Sequence, residues 1–389
     1  MNYKEYADYF SLPDIFEENF ESDALGSAIL HTSVIDNNPS LEGISIALIG
    51  LTETRSSKTE PGFFTDPDII RKRLFHLKNH HQKVAIADLG NLKNGKTVSD
   101  TYSAIAIICA ELIRIQILPV IIGGTQDSTF GQYCAYKQLA QIINIANVDF
   151  QFDLGESTNE INSRSFVGKI ILEQPNYLFN YSHIGHQLYF VGEDAVEKMK
   201  KLFFDTYRLG QVRADIIDTE PVLRNSDLLT FDLSAIRQAD CPGTTDPSPN
   251  GLSAEESCQI MFYAGLSEKI TSVGLYEFKP DNDRNFQTAN LLAQMIWYFI
   301  EGFSKRKNEM PAYNRNGFLK YIVTLSEMTN EIVFLKSPRT DRWWMEIPIV
   351  DNYTKFQRHH IVPCSYKDYQ MAMNNEMPER WWQTFKKLS

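Results

Sequence analysis

Strand-like apolar runs alternate with helix-like segments along most of this chain, and this alternation most constrains its fold. The run ISIALIGL, which starts at Ile44, is almost continuously apolar, as strands are when both faces of a parallel sheet are buried. A helix-like segment follows from Pro67, because proline is favoured in the first turn of a helix. The alternation continues to Phe303. It predicts an α/β fold of three layers, α/β/α, with a mostly parallel sheet between helices.

The character of the sequence changes after Phe303, where the segment SKRKNEMPAYNRNG is polar, basic and rich in turn residues. Beyond it, GFLKYIVTLSE and EIVFLKS predict a hairpin, WWMEIPIV predicts a strand, and SYKDYQMAM with RWWQTF predicts a C-terminal helix. We therefore expect a lead-in over residues 1–43, an α/β domain over 44–303 and a small α+β extension over 304–389. Four of the five tryptophans lie in the extension, so it should dock on the domain to cover them.

Charge and cysteine usage exclude several classes of protein. The chain has 389 residues, 38 Lys and Arg against 49 Asp and Glu, and a net charge of −11, so it lacks the positive charge by which most nucleic-acid binders hold phosphates. Its five cysteines are scattered without a CxxC pair, which argues against a zinc module or a disulfide framework. The N-terminal segment is acidic and no apolar run is long enough for a membrane span. We predict a cytoplasmic protein with neither nucleic-acid nor membrane partners.

Polar residues follow four of the predicted strands, where the ligands of parallel α/β sheets bind. Asp149, Gln151 and Asp153 are spaced by two, so their side chains share one side if the strand continues through them. Asp232 would face them from another strand end. Several oxygen donors held together in this way are typical of a site for one or two divalent cations. The four segments are residues 123–128 (GGTQDS), 149–153 (DFQFD), 231–234 (FDLS) and 277–280 (EFKP).

In their order, these segments resemble the strand ends of the ureohydrolases, the family of arginase, agmatinase and formimidoylglutamase. The family motifs read GGDHS, DAHxD and SFDxDxxDP, and they bind two manganese ions. The segment CPGTTDPSPNGLS, residues 241–253, is similar to the family loop APGTGTPxPGGLS, and IALIGL, PDIIRKRL and IADLGN also resemble family segments. The resemblance covers residues 44–303. It implies an arginase-like fold, a homo-oligomer, hydrolysis of amidine or guanidino compounds, and a role for Glu277 in orienting a small cationic ligand.

The metal-binding positions depart from the family pattern. Gln126 and Gln151 stand where the family has histidine ligands, and Ser234 stands where it has an aspartate. The loop after Asp153 has no histidine for proton transfer near Val167, the nearest position by length. A neutral amide is a poor substitute for imidazole on manganese, so we expect the dinuclear centre to be lost. The carboxylates that remain in the pattern are Asp149, Asp153 and Asp232.

Three functional interpretations stay open from the sequence. In the first, which we favour, the chain is a non-catalytic binding or scaffold protein with no cofactor, its acidic residues being the remains of a metal site. In the second, it is a hydrolase of linear amidine or guanidino compounds with an altered metal site. Such a site would hold a single Mg, Ca or Mn ion on the three aspartates, completed by Gln126, Gln151, Asp127 or Ser234. In the third, a protein partner binds the tryptophan-rich extension.

Overall fold

A mostly parallel sheet forms the centre of the molecule. The computed structural model describes residues 6–15, 19–31, 41–81, 83–155, 160–326, 331–348 and 358–388. Ten strands within these residues form the sheet in the order β1-β4-β3-β5-β10-β9-β6-β7-β8, with β2 also on β4. Its pairs are parallel except β1 with β4. The strands are β1 Phe10–Ser11, β2 Leu30–His31, β3 Ile46–Leu51, β4 Ile86–Leu92, β5 Leu118–Ile122, β6 Ile143–Val148, β7 Leu178–His186, β8 Asp205–Arg208, β9 Leu228–Asp232 and β10 Ser272–Tyr276.

Helices cover both faces of this sheet, which confirms the predicted three layers. One hydrophobic core joins the sheet to α1, α6, α7, α8 and α9. Two further cores on the other face join it to α2, α3, α4 and α5. No helix in the described ranges is long and apolar enough to span a membrane. The helices are α1 Pro67–Phe75, α2 Val98–Arg114, α3 Thr129–Gln138, α4 Phe166–Leu172, α5 Glu193–Lys201, α6 Leu209–Ala214, α7 Thr219–Arg224, α8 Ala254–Leu266 and α9 Gln287–Ser304.

Helices α8 and α9 pack against each other through two glycines. A Cβ atom at Gly265 would collide with the carbonyl oxygen of Phe299, and one at Gly302 would collide with the carbonyl oxygen of Phe262. Each glycine therefore lies against the backbone of the opposite helix. This close approach brings α9 onto the core that supports the central sheet.

The C-terminal residues form a second, antiparallel sheet in the order β11-β12-β13-β14, with two helices where the sequence predicted one. Trp343 packs inside this part, whereas Trp344 faces the central domain, where the Arg224 guanidinium lies 4.4 Å from its ring centroid. Arg224 also donates hydrogen bonds of 3.1 Å to the carbonyls of Trp343 and Cys364. The elements are β11 Leu319–Thr324, β12 Glu331–Lys336, β13 Trp343–Glu346, β14 Ile361–Cys364, α10 Tyr366–Met373 and α11 Glu379–Leu388.

Candidate functional site

Four adjacent strands, β5, β10, β9 and β6, bring the predicted site residues to one edge of the central sheet. Gln126 lies in the short turn after β5, and Asp232 is the last residue of β9. Glu277 follows β10 directly and Asp149 follows β6. All four side chains are buried. The carboxyl ends of parallel strands thus gather these residues as the sequence predicted.

The turn after β6 differs from the prediction. Strand β6 ends at Val148, so the expectation that it continues through Asp149, Gln151 and Asp153 is wrong. The backbone turns instead, with Asp153 at φ +47°. Gln151 lies between the two aspartates: its backbone N–H donates to Asp149 Oδ1 at 3.3 Å and its amide nitrogen to Asp153 Oδ1 at 2.6 Å. A tight turn, and not strand alternation, therefore brings the two carboxylates together.

The carboxyl groups of the site lie in an unfavourable electrostatic environment. Burial raises the pKa of Asp149 well above its usual value, and the charges of Asp153 and Asp232 raise it further. Burial also raises the pKa of Asp232 to about 7 and that of Glu277 well above its usual value. Within the described residues, Oδ2 of Asp149 and Oδ2 of Asp153 are buried without a hydrogen-bond partner. The site is therefore short of positive charge.

The residues that replace the family ligands are engaged by the protein. The amide nitrogen of Gln126 donates to Asn147 Oδ1 at 2.7 Å and to Thr230 Oγ1 at 3.3 Å. Ser234 offers its backbone N–H, which donates to Asp232 Oδ1 at 2.6 Å. The Gln126 amide thus presents its nitrogen to hydrogen-bond partners, whereas its Oε1 and the Ser234 Oγ are buried without a partner in the described part of the chain.

Asp127 belongs to a separate hydrogen-bond network. Its Oδ2 accepts hydrogen bonds from Ser56 at 2.6 Å and from the Tyr102 hydroxyl, and burial raises its pKa. The structure therefore gives Asp127 partners of its own and does not pair it with the three aspartates. Its buried Oδ1 has no partner within the described part of the chain.

Glu277 is held in a strained backbone conformation. Its φ is +72°, in the left-handed region that side chains other than glycine rarely adopt, at a cost of about 1–3 kcal/mol. Its Oε1 accepts the backbone N–H of Gln126 at 3.0 Å, and its Oε2 accepts the Thr245 hydroxyl at 2.9 Å. Thr245 lies in the loop 241–253, so Glu277 joins this loop to the strand ends.

Arg164 is the residue of this site that the sequence interpretation missed. It lies in the loop after β6, in which the family pattern would place a histidine; Val167, the nearest position by length, is buried in the core. The Arg164 Nη1 atom lies 3.6 Å from Asp153 Oδ1, and Nη2 lies 2.5 Å from Asp246 Oδ2. A lone arginine soon after an acidic strand end was the available signal.

Comparisons with known proteins agree with the fold. Residues 44–301, more than half of the chain, match the model of the Arginase family. The formimidoylglutamase of Streptococcus gordonii is 23% identical over 322 residues, covering 76% of this chain and 97% of that protein. The formimidoylglutamase of Staphylococcus aureus is 26% identical over 243 residues, covering 60% of this chain and 78% of that protein.

Solved structures give the same result for the architecture. The crystal structure of formimidoylglutamase from Bacillus subtilis superposes with a TM-score of 0.65 at 17% identity, covering 78% of this chain and 98% of that one. Formiminoglutamase from Trypanosoma cruzi, crystallised with Mn²⁺, gives 0.63 at 17% identity, with 71% and 98% covered. These similarities show an arginase-like fold with an added C-terminal sheet. With the family match over residues 44–301, they lead to the conclusion that the chain belongs to the arginase family of ureohydrolases.

Proposed function

We propose that this ureohydrolase-family chain is a non-catalytic binding protein whose site takes a small cationic ligand without cleaving it. The observation that carries the proposal is the orientation of the Gln151 amide. A carboxylate only accepts hydrogen bonds, so the amide nitrogen, and not its oxygen, must face Asp153 at 2.6 Å. A cation shared by these two side chains would require the amide oxygen in that place.

The remaining donors do not fit a pair of manganese ions. The Gln126 Oε1 atom is buried without a hydrogen-bond partner among the described residues, but a neutral amide oxygen is a weak replacement for imidazole on manganese. Among the described residues, no three or more His, Cys, Asp or Glu are arranged to hold a metal ion. Hydrolysis in this family depends on metal-bound water, whose pKa must fall from about 15.7 towards about 7. These features support a loss of catalysis.

The buried carboxylates support binding of a planar cation. Asp149, Asp232 and Glu277 have few compensating positive charges, and each has a raised pKa caused chiefly by burial. An amidinium or guanidinium group presents parallel N–H donors that match a carboxylate in a bidentate pair. Such a ligand would supply both the missing charge and partners for the free carboxylate oxygens.

One observation favours a second candidate, a hydrolase with an altered site for a single divalent cation. Buried oxygens of Asp149, Asp153 and Gln126 lack hydrogen-bond partners in the described part of the chain, and Mg²⁺, Ca²⁺ and Mn²⁺ bind such oxygens. The formimidoylglutamase relatives support hydrolysis as well as they support the fold.

Turnover and binding assays separate the two candidates. With Mn²⁺ added, we expect no urea from arginine or agmatine, and no formamide from formimidoylglutamate, above a protein-free blank. Calorimetry with agmatine and formamidine should detect binding that Glu277→Gln weakens about 10-fold or more, because a charge-assisted pair is lost. Asp281→Asn, an exposed carboxylate, is the matched control. Turnover that Asp232→Ala abolishes would establish the hydrolase instead, and absence of binding would exclude the proposed ligand class.

A further inference from the structure

The Arg164 guanidinium lies at the carboxylates that the family uses for metal. We infer that Arg164 is a built-in cation, which stands in for the metal ions and leaves a latent cation site on Asp149 and Asp153. The inference rests on the proposed function, since it explains how the chain folds without the dinuclear centre. It goes beyond that function in naming the group that closes the site to metal.

Arg164 connects two parts of the site. Its Nη1 approaches Asp153 Oδ1 at 3.6 Å, its Nη2 contacts Asp246 Oδ2 at 2.5 Å, and its Cζ lies 4.9 Å from the centroid of the Phe150 ring. The turn after β6 and the loop 241–253 are therefore tied through one guanidinium. Its side chain is 21% exposed, so most of this contact is removed from solvent.

The backbone around Arg164 is fixed. Its own N–H donates to Asn162 Oδ1 at 2.9 Å. The neighbouring Ser163 donates its N–H to the carbonyl of Ser56 at 3.1 Å, and its hydroxyl accepts the N–H of Lys58 at 3.0 Å. The loop that carries the guanidinium is thus anchored to a second loop. Arg164 is a positioned part of the site and not a surface side chain that happens to lie nearby.

The charges of the site respond to Arg164. Burial alone would lower the pKa of Arg164, but Asp153, Asp149, Asp232 and Asp246 hold it above the usual value. In turn, Arg164 opposes the effect of burial on Asp232 more strongly than any other group. A guanidinium stays charged at every physiological pH, so it supplies this charge permanently. The single positive charge of Arg164 replaces the four positive charges of two divalent ions. The negative charge of the carboxyl groups is therefore only partly neutralised.

Removing the guanidinium should therefore open the site to a metal ion. We would titrate MnCl₂ by calorimetry into chelator-treated wild type, Arg164→Gln, Arg164→Lys and Arg114→Gln, the last being an exposed arginine outside the site. Arg164→Gln should bind Mn²⁺ at least about 10-fold more tightly than wild type, and added Mn²⁺ should raise its melting temperature. Arg164→Lys and Arg114→Gln should behave as wild type. Adding Asp149→Asn to Arg164→Gln should abolish the gain.

The results of these titrations distinguish a failure of the Arg164 inference from a failure of the proposed function. Equal Mn²⁺ affinity in wild type and Arg164→Gln would overturn the inference while leaving the proposed function intact. Metal-dependent turnover by wild type would overturn the proposed function instead. If Arg164→Gln does not fold, the double variant with Asp153→Asn should fold, because it loses one charge of each sign. Failure of that variant as well would also refute the role of Arg164 as a counter-charge.

Discussion

Replacing Asp232 with asparagine should stabilise the metal-free protein, and the gain should depend on pH. In the folded protein the pKa of Asp232 is raised from 3.8 to about 7, chiefly by burial. The folded state thus keeps this proton up to about pH 7, whereas the unfolded chain loses it near its ordinary pKa. Wild type therefore loses stability as the pH rises between these two values. Asparagine never ionises, and its oxygen can still accept the Ser234 N–H.

The size of the effect follows from the pKa difference. Each pKa unit is worth about 1.4 kcal/mol, so Asp232→Asn should raise the free energy of unfolding by about 4 kcal/mol at about pH 8. Near pH 4 the difference should fall below about 1 kcal/mol, because the carboxyl group is then protonated in the folded state and partly protonated in the unfolded chain. The measurement is urea denaturation across this pH range in the presence of a chelator.

A second buried aspartate provides the control. Asp227 is paired with Arg358 at 2.8 Å and with Lys269 at 3.7 Å, so Asp227→Asn should destabilise the protein by leaving the buried Lys269 ammonium and the half-buried Arg358 guanidinium without their carboxylate. A destabilised Asp232→Asn at about pH 8, or a difference from wild type that does not change with pH, would refute the electrostatic account of the site.

Two further predictions concern the metal positions and the C-terminal sheet. Gln126→His, Gln151→His and Ser234→Asp together restore the family pattern. The triple variant should bind Mn²⁺ more tightly, and its melting temperature should rise with added Mn²⁺. Calorimetry without a Mn²⁺ signal would show that the strand ends are not aligned for metal. Arg224→Met should cost about 2–3 kcal/mol, because two buried carbonyls lose their donors and Glu220 keeps only the Arg342 guanidinium, 3.4 Å away. The substitution should also speed proteolysis between residues 304 and 316. Unchanged proteolysis and stability would mean that Arg224 does not tie the second sheet to the domain.

Strands with apolar side chains could be predicted from the sequence, whereas a strand whose polar side chains form hydrogen bonds to a neighbouring strand could not. The runs that became β3, β5 and β9 were predicted because buried parallel strands are apolar on both faces. Strand β7 departs from the apolar pattern of the other buried strands, because it contains Asn180 and Ser182. Both side chains donate to Asp205 on β8, a partner that the sequence pattern does not reveal.

The site was predicted as far as local sequence determines it. Parallel strands end at one edge, so Asp149, Asp232 and Glu277 could be expected there from the order of the strands alone. Arg164 was missed, because its position depends on the path of a loop that is fixed by contacts with residues 56–58, and a lone arginine after a strand end is a weak signal. The partners of Asp127 were equally hidden, since Tyr102 reaches it from α2.

The glycine contact between α8 and α9 also limits how this chain can change over time. Alanine at Gly265 or Gly302 would meet main-chain atoms, and main-chain atoms cannot be exchanged by a compensating substitution. A side chain at either glycine would therefore clash with the opposite helix, and a substitution at a third residue would not relieve the clash. Any descendant that loses one glycine must move the whole of α9 outwards, and α9 supports the sheet beneath the candidate site. A substitution at this distant contact would thus shift the sheet and alter the geometry of the candidate site, although no residue of the site itself had changed.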